Sequence, residues 1–354
     1  MNRTVRLYFL LLLIALVGPA CGVGYVLSSS YYQFELLSLR EPIVKARLRG
    51  TLTRSQLRAL NTIQRAREYG STLGFKVSDI YTTVATEWGR EMWNVSACDS
   101  LSFTPRRWWF PVVGNVPYLG FFSKQEAEVL YDELKQDPHL DVHKRRVGAY
   151  STLGYFNDPI LPGMLQWSST SLLDLVFHEL THATVWLSSS VQFNESFANF
   201  VGEKATLHYF SAVYGKDSPQ LKNAEARYED KHRWRTLLWD LYKDLDQLFG
   251  DSDLSKQEKL LRKNRLYKSL PNRAARVDFK DLARIKRRIN SQRWNNARLM
   301  QFKRYNSSHL HFEKIFRSFS SDFPGFFKRI EEIVKDSEDP KASLELAANR
   351  KLKQ

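Results

Sequence analysis

Cysteine is scarce in this chain of 354 residues. The only two, Cys21 and Cys98, exclude a disulfide-rich scaffold and a four-cysteine zinc module. Internal repeats and low-complexity segments are absent from the sequence. A hydrophobic content of 43% and an aromatic content of 13% exclude a disordered polymer, so the chain can build one large domain or two ordinary ones.

Acidic residues are too few to balance the basic ones. Against 53 Lys and Arg stand 38 Asp and Glu, which gives a net charge of +15. The excess is local, because residues 251–354 contain 26 basic and 13 acidic side chains and so carry +13 of the total. Such a segment is typical of a nucleic-acid or lipid surface, or of a solvated helix face.

A hydrophobic run near the N-terminus predicts export. Arg3 and Arg6 precede the apolar residues 7–17, and small residues follow as far as Cys21. Three fates remain open: lipidation of Cys21 after cleavage, as in bacterial lipoproteins; an uncleaved anchor helix over 7–27; and simple cleavage. All three place the rest of the chain in the bacterial cell envelope, facing the periplasm.

Hydrophobic periodicity divides the rest of the chain. Helical spacing dominates most of it, whereas aromatic, β-branched and turn residues dominate residues 82–157. The predicted helices in the first part lie at 35–49, 55–69 and 124–136. The predicted strands lie at 92–97, 107–113, 118–122 and 147–153.

The pattern H-E-x-x-H occupies residues 178–182. Ser171 and Asp174 have the spacing of a capping box, so a helix is predicted to start there. Four residues are about one helical turn, and His178 and His182 can therefore offer imidazole nitrogens to one metal ion. Glu179 lies about 100° round the helix, where it can reach a metal-bound water without occupying a ligand position.

A hydrolytic zinc site needs a third protein ligand and an open position for water. Glu195 follows in the first turn of a second predicted helix, which runs to about Tyr214 and ends at Gly215. The serines at 188–190 supply a turn that folds this helix back beside the first. Glu195 is therefore predicted to face the two histidines.

The run 178–201, in which H-E-L-T-H is followed by F-N-E-S-F-A-N-F-V, resembles the bacterial predicted zinc aminopeptidase family, within the gluzincin metallopeptidases. Further matches are W-F-P-V-V-G at 109–114, Y-L-G-F-F at 118–122 and A-Y-S-T-L-G-Y-F-N-D-P at 149–159. The resemblance covers nearly the whole chain.

This resemblance implies that His178, His182 and Glu195 bind one zinc ion and that Glu179 is the general base. It also implies a gluzincin-like fold of α+β class, predominantly α, with a small mixed sheet before the motif helix and a helical C-terminal part. The chain lacks the G-x-M-x-N segment of neutral aminopeptidases, whose glutamate holds the substrate's amino group. Aminopeptidase and endopeptidase activities therefore both remain open.

Other side chains are candidates for supporting roles. Asn199, one turn after Glu195, is a candidate to hydrogen-bond a ligand histidine. Residues 148–154, just before the motif helix, are predicted to form a sheet edge that pairs with an extended peptide. The candidate members of this edge are Ala149, Tyr150 and Ser151. The candidate donors to the developing oxyanion are Tyr155, His208 and Tyr209.

The predicted organisation follows the composition. It comprises a signal, lipoprotein or membrane-anchor segment at 1–27, a zinc peptidase domain at 28–338 and a flexible tail at 339–354. Within the domain, residues 28–165 hold helices and the sheet, 166–215 the zinc-binding helices, and 216–338 a basic helical part.

The leading functional hypothesis is an envelope-anchored zinc peptidase that hydrolyses peptide substrates. The alternative from another class is an envelope peptide-binding or scaffold protein whose zinc site is not catalytic. The basic residues of 251–304 are predicted to face anionic lipid or an acidic partner. No nucleic-acid partner is expected, because the chain is predicted to be exported and contains no zinc finger or aromatic RNA-binding signature.

Overall fold

The computed structural model describes residues 21–77, 79–110, 114–148, 158–188, 190–291, 293–303 and 309–349. The helices are α1 (Cys21–Ser38), α2 (Ile43–Leu48), α3 (Arg54–Thr72), α4 (Lys124–Lys135), α5 (Ser169–Thr184), α6 (Val191–Tyr214), α7 (Pro219–Gly250), α8 (Lys256–Lys268), α9 (Leu270–Ala275), α10 (Leu282–Asn290), α11 (Asn296–Lys303), α12 (His309–Arg317), α13 (Phe323–Val334) and α14 (Pro340–Asn349). The strands are β1 (Glu41–Pro42), β2 (Thr83–Val84), β3 (Met92–Asp99), β4 (Trp108–Phe110), β5 (Gly114–Val116), β6 (Leu119–Phe121) and β7 (Leu140–Val147). The protein is mainly helical with small sheets, which agrees with the predicted class.

The helix predicted over 35–49 is interrupted. Residues Glu41–Pro42 form β1 and pair antiparallel with β2, so α1 ends at Ser38 and α2 begins at Ile43. Proline has no backbone N–H and fits only the first turn of a helix, which explains why Pro42 stands at the N-cap of α2.

β3 is the central strand of a three-stranded sheet with the order β6–β3–β7. Val95 on β3 lies opposite Leu119 on one side and Lys144 on the other, and both pairings are antiparallel. All pairings between the named strands of the described residues are antiparallel, and an isolated bridge between Val84 of β2 and Ile160 is parallel. The neighbour of β3 is Leu140–Val147, which the sequence pattern missed, and most of the predicted strand 147–153 lies outside the described residues.

Helix α4 covers one face of this sheet. It ends one residue before the end of the helix predicted over 124–136. Its side chains Ala127 and Leu134 join Val95 and Val142 in a separate small core. Tyr25 of α1 packs against the same core and accepts a hydrogen bond at its hydroxyl from the backbone N–H of Gly120, at 3.2 Å. The first described helix is thereby attached to the sheet.

The main core is rich in phenylalanine. Six phenylalanines from α5, α6, α12 and α13 are less than 2% exposed, namely Phe177, Phe197, Phe200, Phe312, Phe323 and Phe326. Burial of each such side chain stabilises the fold by about 1.5–3 kcal/mol. Leu344 of α14 is also fully buried in this core, at 0% exposure. The predicted flexible tail at 339–354 is therefore wrong for 340–349, because this buried leucine attaches the helix to the core.

The basic C-terminal part has its own core. Leu241 and Leu245 of α7 pack with residues of α8 to α11. Lys263, a member of the predicted basic surface, is buried instead: its Nζ donates to Asp141 Oδ2 at 2.6 Å. The backbone N–H of Asn296 donates to the same carboxylate oxygen at 2.7 Å, so one acid of β7 fixes both α8 and α11 to the sheet.

None of the helices in the described part of the chain has both the length and the apolarity needed to cross a bilayer.

Candidate metal centre

Helix α5 begins earlier than its sequence predicted. The N-cap is Ser168, whose hydroxyl accepts a hydrogen bond from the backbone N–H of Ser171 at 3.3 Å. Arg227 of α7 donates to the hydroxyls of both serines, at 2.7 and 2.8 Å. This tertiary contact fixes the start of the helix, and the predicted capping box of Ser171 and Asp174 is wrong. Asp174 instead accepts a hydrogen bond from the Tyr228 hydroxyl at 3.0 Å.

Helices α5 and α6 approach each other closely at Gly202. A Cβ atom on Gly202 would lie 2.9 Å from the backbone oxygen of Asp174 and 3.3 Å from the backbone nitrogen of His178. Only glycine avoids this clash. Because Gly202 has no side chain, α6 can lie against the turn of α5 that carries His178. Gly215, at φ +93°, ends α6 where the sequence predicted.

The connection between the two helices is held by a buried amide. Asn194, 1% exposed, accepts from the backbone N–H of Leu187 at 2.9 Å and donates to the backbone oxygen of Leu187 at 2.8 Å. The Ser190 hydroxyl caps α6 by accepting from the backbone N–H of Phe193 at 3.2 Å. These bonds fix the first turn of α6, which carries Glu195, beside α5.

The three predicted metal ligands lie together. The Nε2 atoms of His178 and His182 are 3.1 Å apart. Glu195 places Oε2 at 3.6 Å from His178 Nε2 and Oε1 at 3.5 Å from His182 Nε2. Ligand atoms around one tetrahedral metal ion are separated by about 3.3 Å, so the three side chains could hold one ion. The three side chains keep between 12% and 19% exposure, which leaves one side of the cluster accessible.

The charges within this cluster support each other. Burial would raise the pKa of Glu195, but hydrogen bonds to His178 and His182 hold that pKa far below its usual value. Burial alone would lower the pKa of His178. The net effect is a raised pKa, because the hydrogen bond to Glu195 and the charges of Glu179, Glu195 and Asp174 together outweigh burial. The cluster therefore keeps an ionised carboxylate between two imidazoles.

The charge of Glu179 acts on a buried tyrosine that the sequence did not reveal. Burial raises the pKa of Tyr81 well above its usual value, and the charges of Glu179 and Asp158 raise it further. The backbone N–H of Tyr81 donates to the backbone oxygen of Asp158 at 3.3 Å. Tyr81 has φ +57°, a conformation that costs a non-glycine residue about 1–2 kcal/mol. Tyr81 therefore keeps its phenol protonated within electrostatic reach of Glu179, although the two residues are distant in sequence.

Two of the predicted oxyanion donors are misplaced. His208 and Tyr209 follow Glu195 by 13 and 14 residues on α6, about 20 Å along the helix axis. His208 Nδ1 is hydrogen-bonded to the Tyr69 hydroxyl at 2.8 Å, and Tyr209 is buried in the main core. The predicted role is wrong for both, because a continuous helix carries them away from the cluster.

The predicted role of Asn199 is also wrong. Its Nδ2 donates to the backbone oxygen of Glu195 at 2.7 Å, which directs the amide to its own helix and not to a ligand histidine. Tyr155, the third oxyanion candidate, and the edge-strand candidates Ala149, Tyr150 and Ser151 lie outside the described residues.

Comparison with known proteins gives one match. The model of the family described as "Putative aminopeptidase" matches residues 24–344. No curated protein sequence matches this chain at a significant level, and no solved structure does.

Proposed function

Because the chain belongs to the family described as "Putative aminopeptidase", which supports a peptidase activity, we propose that it is a zinc-dependent enzyme of the gluzincin type. The observation that carries the proposal is the set of three nearly equal edges, 3.1, 3.5 and 3.6 Å, between His178, His182 and Glu195. Two neutral nitrogens and one carboxylate are a donor set that suits zinc, and three protein ligands leave a position for water.

Each side chain has a distinct role in this proposal. Zinc held by His178, His182 and Glu195 would supply a Lewis acid and a water with a pKa of about 7. Glu179 would accept a proton from the attacking water and pass it to the leaving amine of the peptide. The raised pKa of Tyr81 keeps its phenol protonated, so this part of the protein also holds one neutral hydrogen-bond donor.

Replacement of Glu179 by glutamine tests these roles. The Glu179→Gln protein should bind as much zinc as the wild type, because Glu179 is not a ligand. Its hydrolysis of an unstructured peptide should fall by about 10²–10⁴-fold, the usual contribution of a general base. Glu225→Gln, an exposed change on α7, is the matched control. An unchanged rate in Glu179→Gln would refute the mechanism.

The alternative of a zinc-binding scaffold predicts a different outcome for the wild type. Such a protein would bind zinc and hydrolyse no peptide of any length. The site of cleavage is a separate question, answered by mass spectrometry of the products from a mixed peptide pool. Stepwise loss of N-terminal residues supports an aminopeptidase, and internal cuts support an endopeptidase.

We further propose that the protein is anchored in the envelope through Cys21. The supporting sequence is the pair Arg3 and Arg6, the apolar run at 7–17 and the small residue before the cysteine. Incorporation of labelled palmitate should be lost in Cys21→Ser and retained in Cys98→Ser, whose thiol is buried. Label in neither wild type nor control would favour simple cleavage or an uncleaved anchor.

The basic residues of 251–304 support a weaker proposal of contact with anionic lipid. Several of them already have acidic partners, since Arg273 pairs with Asp244 at 2.6 Å and Arg284 with Asp230 at 3.1 Å. The remainder can add about 1 kcal/mol each near an anionic surface at low salt. Binding to vesicles that contain phosphatidylserine should therefore weaken with ionic strength, and binding that ignores salt would contradict the proposal.

A further inference from the structure

A second cluster of ligand-type side chains lies about two turns further along α6. We propose that Glu203, His232 and His309 form a second divalent-cation site. Glu203 follows Glu195 by eight residues on α6, about 12 Å along the helix axis. His232 comes from α7, and His309 is the first residue of α12.

The geometry of the cluster is close to that of a metal site. The three ligand atoms all lie within 4.8 Å of one another. Glu203 Oε1 is 2.7 Å from His232 Nε2 and 3.7 Å from His309 Nε2. The two imidazole rings are 4.4 Å apart between centroids. Side-chain rotations that move these atoms by less than about 1 Å would bring each edge to the spacing of about 3.3 Å that a tetrahedral ion needs.

Two polar atoms in the cluster are buried without a partner. The Glu203 side chain is only 3% exposed, yet its Oε2 has no hydrogen-bond partner among the described residues. The same holds for Nε2 of His309, a second ligand of the cluster. A buried carboxylate oxygen without a donor destabilises the folded state. One cation between Glu203 and His309 would satisfy both atoms at once.

The charges around the cluster decide how tightly it can bind. Lys231 already lies 3.7 Å from Asp174, so its charge is partly neutralised. Arg235 is close enough to feel the charge of Glu203, although burial lowers its pKa. This guanidinium opposes a cation, and the second site is therefore expected to bind more weakly than the first. One carboxylate and two imidazoles favour zinc or a similar transition-metal ion over calcium or magnesium.

The consequence would be structural, because the ion joins three helices that are distant in sequence. Phe312, one turn into α12, already packs 5.6 Å from Phe200 of α6 between ring centroids. A cation on His309 would add a polar attachment at the start of the same helix. At a hundredfold excess of zinc over the dissociation constant, the resulting rise in Tm is roughly 5 °C.

Zinc stoichiometry tests the proposal without any need for activity, so its failure is distinct from a failure of the peptidase proposal. Protein stripped with a chelator is titrated with Zn²⁺, and bound zinc per chain is measured after gel filtration. We expect about two equivalents for the wild type and about one for His309→Ala. His311→Ala, on the same helix but outside the cluster, is the matched control and should keep about two.

A second measurement leaves the new cluster intact. In the double variant His178→Ala, His182→Ala, about one equivalent of Co²⁺ should still bind and give the visible absorption of a nitrogen- and oxygen-ligated ion. The proposal is overturned by a wild type that binds one equivalent of zinc, by two equivalents in His309→Ala, or by no Co²⁺ absorption in the double variant. Any of these results would leave Glu203 as the buried hydrogen-bond partner of His232.

Discussion

The two histidine and glutamate clusters differ in how they are built. The first takes its ligands from two consecutive helices joined by a short turn, and its three edges lie between 3.1 and 3.6 Å. The second takes them from three helices distant in sequence, and its edges at Glu203 are uneven, 2.7 and 3.7 Å. The carboxylates differ in access, because Glu195 keeps 19% exposure and Glu203 only 3%. An accessible, preformed cluster suits catalysis, whereas a closed one suits a structural ion.

The largest expected difference is in activity. Loss of a residue that only hydrogen-bonds a metal ligand lowers activity by about 10–100-fold. Glu195→Gln changes a proposed ligand itself, so peptide hydrolysis should fall by more than that. Glu203→Gln should lose one zinc equivalent and the zinc-dependent rise in Tm, with a much smaller loss of activity. Rates and bound zinc are measured on the same samples. Equal losses of activity in the two variants would show that the clusters act as one unit.

The buried amide of Asn194 should matter more than the neighbouring amide of Asn199. Asn194→Ala removes two hydrogen bonds to the Leu187 backbone and leaves those groups without partners, a cost of about 2–3 kcal/mol in unfolding free energy. Asn199→Ala removes one bond to the Glu195 carbonyl and should cost less than about 1 kcal/mol. Denaturant unfolding measures both, and the reverse order would contradict the role given to the turn.

His143 of β7, which lies in neither cluster, is expected to make the free energy of unfolding depend on pH. Burial, with the charges of Arg298 and Arg145, lowers the pKa of His143 to about 3. The unfolded chain, with a histidine pKa of about 6.5, therefore binds a proton that the folded chain does not. The free energy of unfolding that the neutral, buried His143 contributes is fully present above about pH 6.5. It is lost as the pH falls towards 3.

This titration predicts a specific difference between wild type and variant. Between pH 7 and pH 5 the wild type should lose about 2 kcal/mol more unfolding free energy than His143→Gln, which has no such proton to bind. Urea unfolding of both proteins at the two pH values measures the difference. Equal losses would show that His143 is accessible to protons in the folded state.

The smallest expected effect is at the contact between α5 and α6. Gly202→Ala introduces a Cβ that lies 2.9 Å from the Asp174 backbone oxygen, an overpacking that costs about 1–3 kcal/mol. The higher helix propensity of alanine offsets about 1 kcal/mol of this. A net loss of about 1 kcal/mol, with weaker zinc binding at His178 and Glu195, is the expected result. Gly24→Ala, where a Cβ meets nothing, is the control.

The first cluster could be predicted because its information is local. Helical spacing places His178 and His182 on one face, and the turn before α6 places Glu195 opposite them. The start of α5 could not be predicted, because Ser168 and Ser171 are both competent caps and both are contacted by Arg227 of a later helix. Contacts of this kind join residues distant in sequence, so no regular spacing of residues predicts them.

The rest of the polar architecture is non-local for the same reason. The charge of Glu179 acts on Tyr81 of a distant loop, and Glu203 meets His232 and His309 only after α7 and α12 have packed on α6. The tail was predicted to be flexible from its polar composition, yet the buried Pro340 and Leu344 attach α14 to the rest of the protein. A few well-placed apolar side chains can thus outweigh the composition of a segment.

The central claim is that the cluster of His178, His182 and Glu195 holds a zinc ion with which Glu179 hydrolyses peptides. Its most direct test is a mixed peptide pool incubated with wild type, with chelated and zinc-restored wild type, and with Glu179→Gln of equal zinc content. The predicted result is cleavage by the wild type, loss on chelation, recovery with zinc and a fall of about 10²–10⁴-fold in Glu179→Gln. Cleavage that survives the chelator, or that Glu179→Gln performs at the wild-type rate, would contradict the account.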